Sequence, residues 1–97
     1  MEVRIQAIHF DISDRLTAFI NKKAERLARH NTEISVVDVT LKVVKPESAM
    51  NKDVVIRVNT PVHEELVANK TADTFEEAVD ICLEALERQL EKRKERK

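Results

Sequence analysis

The 97-residue chain contains no glycine, and this absence argues against several common functions. Average glycine usage of about 7% would predict roughly seven glycines in a chain of this length. Phosphate-binding P-loops and dinucleotide-binding turns need backbone conformations that glycine alone adopts at low energy. Nucleotide-dependent chemistry is therefore improbable, and we expect the tight turns to use Asn, Asp and Pro instead.

Cysteine and long hydrophobic runs are also scarce. The single Cys82 cannot form a disulfide within the chain, and the start MEVRIQAIHF lacks the regions of a secretory signal. No apolar run approaches the ~18 residues that would span a bilayer. We therefore predict one cytoplasmic domain over residues 1–97 that has no membrane association and needs no metal or disulfide for stability.

Residue types that often carry catalysis are present but scattered. His9 and Asp11 are a lone pair with weak metal-ligand spacing, and Cys82 falls on the apolar side of a predicted helix, as a buried residue would. The adjacent Glu64 and Glu65 should point to opposite faces of a strand, which does not suit paired-carboxylate catalysis. We predict that the protein is not an enzyme and has no metal, cofactor or small-molecule substrate.

Hydrophobic periodicity predicts six elements in the order β-α-β-β-β-α. Alternating apolar residues indicate strands over residues 3–10, 36–44, 53–59 and, more weakly, 65–69. Apolar residues at three- and four-residue spacing indicate one helix from the cap Ser13 to about Arg29 and another from the cap Thr74 to the chain end. Because every element has one apolar side, we predict an α+β fold in which both helices pack on one face of a four-stranded sheet.

The first helix carries a basic flank although the net charge of the chain is only −1. Steps of 100° per residue place four cations within about 60° beside the apolar stripe and Lys23 near its other margin. The four are Arg15, Lys22, Arg26 and Arg29.

Charges on the last helix segregate into stripes of one sign. The acidic stripe is Glu84, Glu87, Glu91 and Glu95, and the basic residues are Arg88, Lys92 and Arg96, with Arg93 and Lys94 beyond Leu90. From residue 84 onward, Glu84 and Arg88 are the one oppositely charged i, i+4 pair, so the pattern is not the one that maximises helix stability. We expect neighbouring helices to present the two basic sets together. The alternative is a solvated, frayed helix end whose cations suit the helix dipole.

The acidic residues cluster elsewhere, over residues 64–87, where Lys70 is the one cation. The molecule is therefore polarised between a basic and an acidic region. Such a charge distribution steers and orients a protein on a polyanion.

The chain resembles the short form of the ribosome hibernation promoting factors, a family also called ribosome-associated inhibitors or sigma-54 modulation proteins. The last helix matches the family pattern D…L-x-R-Q-L-x-K-x-K at Asp80, Leu86, Arg88, Gln89, Leu90, Lys92 and Lys94. The first helix matches at residues 12–13 and at Leu16, Lys23, Arg26 and Leu27, and VDVTLKV matches the second strand.

The resemblance implies the same β-α-β-β-β-α fold, which is similar to a double-stranded-RNA-binding domain. It also implies binding to the small ribosomal subunit in the channel used by mRNA and tRNA anticodons, with inhibition of translation and ribosome hibernation under stress or in stationary phase. The residues implied to bind 16S rRNA phosphates are Arg15, Lys22, Lys23, Arg26, Arg29, Arg88, Lys92, Arg93, Lys94 and Arg96.

Long members of the family carry a C-terminal dimerisation domain that residues 1–97 do not contain, so ribosome pairing would need a separate ribosome-dimerising factor. Two alternatives stay open. One is a general double-stranded-RNA-binding module, and the other is a protein-binding adaptor that uses the acidic surface of residues 64–87.

Overall fold

The structure, a computed structural model, describes residues 1–45 and 47–95, and for Glu95 it describes the backbone alone. The elements in chain order are β1 (Glu2–Ile8), α1 (Asp14–His30), β2 (Val36–Val43), β3 (Lys52–Asn59), β4 (Leu66–Ala72) and α2 (Phe75–Glu95). The predicted α+β class and element order are confirmed. Strand β4 runs three residues past its predicted end, because its buried face is made by the small Ala68 and Ala72, which give a weak hydrophobic pattern.

The four strands form one mixed sheet in the order β1-β2-β3-β4. Strands β1 and β2 are parallel and are joined through α1, whereas β2, β3 and β4 pair antiparallel. Their register aligns the apolar positions across the sheet in rows, of which one is Ile5, Val39, Ile56 and Ala68. The sheet therefore has one continuous apolar face.

Both helices cover this apolar face. Helix α1 buries Leu16, Ile20, Ala24 and Leu27, and α2 buries Ala78, Val79, Cys82, Leu83, Leu86 and Leu90. The opposite face carries polar rows such as Arg4, Asp38 and Arg57, as predicted. Over the described residues, neither helix combines the length and hydrophobicity that crossing a membrane requires.

Side chains cap both helices at their first turns. The Ser13 hydroxyl accepts a hydrogen bond from the Leu16 amide at 3.1 Å, and the Thr74 hydroxyl accepts one from the Glu77 amide at 3.1 Å. Both predicted caps are confirmed. At the end of α1, the Asn31 side chain donates to the Leu27 carbonyl at 3.0 Å, which satisfies one of the last carbonyls.

In the described turns, left-handed backbone does not occur at Asn or Asp, where the sequence predicted it, although Pro61 lies in the predicted connection between β3 and β4. Over the described residues, left-handed backbone occurs at His9 (φ 62°), Lys45 (φ 47°) and Met50 (φ 56°), and none of these is Asn or Asp. A left-handed residue other than glycine costs roughly 1–2 kcal/mol. The Met50 amide donates to the Asp73 carboxylate at 2.8 Å, so a residue distant in sequence offsets this cost. The expectation was wrong because it considered local preference alone.

Cys82 lies at the centre of the core and is fully buried, which confirms the prediction of a structural thiol. Its sulfur lies 3.5 Å from the Val54 carbonyl oxygen and 3.7 Å from the Ala68 carbonyl oxygen. Burial raises the pKa of the Cys82 thiol to about 11. A thiol in this setting is inert at neutral pH.

This thiol should make the fold less stable at alkaline pH. The unfolded chain loses the Cys82 proton near its ordinary pKa of 9.0, whereas the folded chain keeps it to about 11. The stabilisation is therefore complete below the unfolded pKa and is lost as the pH rises through the folded pKa, with a loss of about 1 kcal/mol by about pH 10. Urea unfolding of the wild type and of Cys82→Ala at about pH 8 and about pH 10 measures the difference. Equal losses in the two proteins would contradict the expectation.

Candidate nucleic-acid interface

The basic flank of α1 is available to an external partner. Arg15, Lys22, Arg26 and Arg29 are all exposed, and none has a hydrogen bond or ion pair within the described part of the chain. The buried side of α1 sets the rotation of the helix and thereby keeps these four cations in solvent. Unpaired guanidinium and ammonium groups on a fixed helix suit phosphate oxygens.

Lys23 has a different environment from its neighbours. Its ammonium lies 3.2 Å from the Asp80 carboxylate on α2 and 5.4 Å from the centroid of the Phe19 ring. The side chain is partly buried, and it links the two helices. Its charge is largely balanced by Asp80.

Arg93 and Lys94 anchor the last described turns of α2 after the apolar stripe ends at Leu90. The Arg93 guanidinium donates to the Thr60 hydroxyl at 3.3 Å and to the Glu64 carbonyl at 2.8 Å. On the other flank, the Lys94 ammonium donates to the His30 carbonyl at the end of α1, at 3.1 Å. The helix is thus held on both sides to residue 94, which argues against a frayed end over these residues.

Arg88 and Lys92 are the exposed cations of α2 that have no partner among the described residues. They are one turn apart, so both can reach neighbouring phosphates. Arg96, the next member of the predicted basic set, lies outside the described residues.

Acidic side chains of α2 lie in the groove between the two helices, beside Arg26 of the α1 basic flank. The groove between the helices is lined by Lys23, Arg26, Asp80, Leu83, Glu84 and Glu87. A second groove on α2 is lined by Glu84, Glu87, Arg88 and Glu91. That the two helices present their basic sets together stays a prediction, and carboxylates of α2 lie between the helices. The buried Leu83, Leu86 and Leu90 set the rotation of α2 and turn its acidic stripe toward α1.

A further groove lies at the other side of α2, against the connection between β3 and β4. It is lined by His63, Leu66, Gln89, Lys92 and Arg93. Sequence analysis assigned no site role to His63 or Gln89, because the two residues are distant in the chain and no local pattern links them. The family pattern around Gln89 was the one available signal.

Arg93 and Lys92 are adjacent residues with different structural roles, and single substitutions should distinguish these roles. Arg93→Ala removes two hydrogen bonds and should lower the free energy of unfolding by about 1–2 kcal/mol. Lys92→Ala removes an exposed side chain and should change the free energy of unfolding by less than about 0.5 kcal/mol. Urea unfolding gives both values, and hydrogen exchange should show faster exchange of the residue 60–65 amides in Arg93→Ala alone. Equal effects of the two substitutions would rule out the anchoring role.

The fold and the unpaired helical cations define a class, a small α+β domain suited to binding a polyanion. No group of three or more His, Cys, Asp or Glu side chains within the described ranges has the arrangement of a metal site. The sequence model of the family described as sigma 54 modulation protein / S30EA ribosomal protein matches residues 3–97, and the chain belongs to this family. The family resemblance is confirmed, and so is the prediction of a non-enzymatic protein.

Known relatives are similar to this chain over nearly its whole length. The chain is 31% identical over 99 residues to the ribosome hibernation promoting factor of Azotobacter vinelandii, covering 99% of this chain and 85% of the relative. It is 29% identical to the factor of the same name from Pseudomonas putida, covering 99% and 89% of the two chains.

Solved structures show the same architecture. A ribosomal subunit interface protein from Coxiella burnetii superposes with a TM-score of 0.86 at 27% identity, covering 99% of this chain and 100% of the other. The N-terminal domain of Thermus thermophilus Protein Y superposes with a TM-score of 0.78 over 95% of this chain and 98% of the other. The second likeness, at 19% identity, concerns the fold alone.

Proposed function

We propose that the protein binds the small ribosomal subunit in the channel used by mRNA and tRNA anticodons, through phosphates of 16S rRNA, and thereby inhibits translation in the cytoplasm. The observation that carries the proposal is a set of exposed cations without partners on two helices of a chain from this family. They are Arg15, Lys22, Arg26, Arg29, Arg88 and Lys92. The Azotobacter and Pseudomonas relatives are named as hibernation promoting factors, and the Coxiella protein as a ribosomal subunit interface protein.

Charge distribution determines how RNA would approach the protein. In the groove between the helices carboxylates outnumber cations and Lys23 is paired with Asp80, so a phosphate chain is disfavoured there and α1 and α2 would contact separate RNA segments. Such contacts read the shape and spacing of folded RNA more than its base sequence. This geometry favours a structured RNA surface over a single uniform duplex.

The remaining members of the proposed rRNA-binding set act in a second way. Lys23, Arg93 and Lys94 hold α1, α2 and the residue 60–65 segment in place. Arg93 and Lys94, which bond to neutral oxygens, also add to the positive potential near the exposed cations. We include Arg96 on the basis of the family resemblance alone.

Inhibition would follow from occupancy of the channel. A folded domain seated there excludes mRNA and tRNA sterically, so the mechanism requires no cofactor, metal, membrane or small-molecule substrate. Residues 1–97 would act as a ribosome-binding domain.

Sucrose-gradient sedimentation with separated ribosomal subunits tests the proposal. We expect the protein to sediment with the small subunit and to be displaced by mRNA together with initiator tRNA. Sedimentation with the large subunit alone, or with neither subunit, would overturn the proposal. Comparable affinity for an isolated RNA duplex would instead favour a general double-stranded-RNA-binding module, and binding that survives ribonuclease treatment would favour a protein-binding adaptor.

A further inference from the structure

We propose that the groove lined by His63, Leu66, Gln89, Lys92 and Arg93 is a nucleotide site that takes one unpaired RNA base, with the adjoining phosphate on Lys92. We call it the 63/89 groove. The inference deepens the proposed function, on which it rests, because it adds recognition of a base to the phosphate contacts of the helices.

The shape of the 63/89 groove suits a small planar group. Its volume is about 430 Å³, within the range of small-ligand sites in proteins, and carbon atoms make up most of its surface although four of its five lining residues are polar or charged. Leu66 forms part of the wall and packs against the hydrophobic core, which makes that wall rigid. An unstacked base needs a firm apolar surface of this kind when it leaves water.

Arg93 supplies an ordered plane beside the groove. Its hydrogen bonds to Thr60 and Glu64 hold the guanidinium at two points, so little conformational entropy is lost when a base stacks on it. Bases in RNA-binding proteins stack on Arg and His side chains as well as on Phe, Tyr and Trp. Both Arg93 and the exposed His63 border the groove.

The aromatic residues of this chain do not offer an alternative platform. The sequence has three Phe and neither Tyr nor Trp. Phe10 and Phe75 stack on each other with ring centroids 5.2 Å apart, and the Phe19 ring lies under the Lys23 ammonium. Base stacking on this protein would therefore use His or Arg side chains, and among these Arg93 is held by hydrogen bonds to two different residues.

Gln89 supplies the polar group that recognition of a base requires. Its side chain is partly exposed, borders the groove and has no hydrogen-bond partner among the described residues. A primary amide both donates and accepts, which matches the paired donors and acceptors on a base edge. An unpartnered amide beside a stacking plane is the arrangement that reads an exposed base.

Charge distinguishes the 63/89 groove from three other grooves, which lie between the helices, along α2 and near His30. In each of these three, carboxylates outnumber the Lys and Arg side chains of the lining. The 63/89 groove has no carboxylate in its lining and has the cations Lys92 and Arg93. A nucleotide, with an apolar base and an anionic phosphate, is electrostatically favoured here and disfavoured in the acidic grooves.

Two oligoribonucleotides of equal charge test the site without ribosomes. One is a trinucleotide of adenosine, and the other has an abasic sugar at its middle position. Nuclear magnetic resonance should show shifts of the Gln89 side-chain amide and the Leu66 methyls with the first probe, and shifts confined to the exposed cations with the second. If the Gln89 and Leu66 signals shift equally with both oligoribonucleotides, the groove binds phosphate and not a base, which overturns the proposal. The proposal is also overturned if neither the Gln89 nor the Leu66 signals shift.

Sedimentation with small subunits supplies the second measurement. His63→Ala should weaken binding about tenfold, by analogy with the loss of a stacking side chain. Val62→Ala is the matched control, because Val62 is 81% exposed on the same segment and does not line the groove. If His63→Ala and the wild type bind the small subunit with equal affinity, the 63/89 groove is not a nucleotide site. The proposed function would still hold, because the wild type binds. Base-dependent shifts without any subunit binding support the groove as a nucleotide site and overturn the proposed function.

Discussion

Replacing Arg88 and Lys92 together by Glu should lower the affinity for the small ribosomal subunit by at least about a hundredfold. Each hydrogen bond between charged groups contributes about 1.5–3 kcal/mol, so loss of two such contacts amounts to roughly two orders of magnitude, and the new carboxylates add repulsion. Both side chains are exposed and without partners in the described structure, so the fold should not change. Equilibrium sedimentation or filter binding measures the affinity, and circular dichroism checks the fold.

The matched control carries the same change of net charge on another part of the molecule. Lys42 on the polar sheet face and Lys45 in the loop after β2 are both exposed. The variant Lys42→Glu with Lys45→Glu should keep its affinity within about threefold, because long-range charge effects are screened over roughly 10 Å. If this control loses as much affinity as the helix variant, net charge and not the α2 surface determines binding. Replacing Lys92, Arg93 and Lys94 together would give a less clear result, because Arg93 and Lys94 also anchor α2 and their loss would change both stability and binding.

Raising the salt concentration should weaken binding steeply. Six exposed cations without partners are described on the two helices, and each phosphate they contact displaces condensed counterions. If about six phosphates are contacted, the affinity for the small subunit should fall roughly a thousandfold between about 50 and about 200 mM monovalent salt, on the scaling known for duplex DNA. A plot of the logarithm of affinity against the logarithm of salt concentration gives the number of contacts.

The slope of this plot also distinguishes the phosphate contacts made by α1 from those made by α2. Arg88→Ala with Lys92→Ala should reduce the slope by about two contacts, and Arg15→Ala with Arg29→Ala should reduce it by a similar amount. A nearly flat plot for the wild type would contradict a phosphate-based interface. An unchanged slope in one double variant would remove the corresponding helix from the interface.

Local sequence determines most of the secondary structure because the signals lie within a few residues of one another. The caps Ser13 and Thr74 satisfy amides three residues on, and the alternation in Val37, Val39 and Leu41 specifies which side of β2 is buried. These rules need no knowledge of the rest of the molecule. The order β-α-β-β-β-α and the division into an apolar and a polar sheet face follow from them.

The turn residues and the site depend on contacts between distant parts of the chain. Met50 adopts a left-handed conformation in a turn held by Asp73, and Arg93 has its partners at Thr60 and Glu64. Neither pairing has a periodic signal, so the sequence predicted left-handed turns at Asn and Asp and gave no indication that Arg93 anchors α2.

The segregation of charge on the two helices could be predicted from the residues, because helical periodicity assigns each one to a stripe. Which stripes face each other depends on how the helices pack. Burial of Leu83, Leu86 and Leu90 sets the rotation of α2 and turns its acidic side toward α1, where Asp80 pairs with Lys23, so surface electrostatics act in the same direction as burial. The same rotation directs Gln89 and Lys92 to the far side of α2, where they meet His63 and form the 63/89 groove.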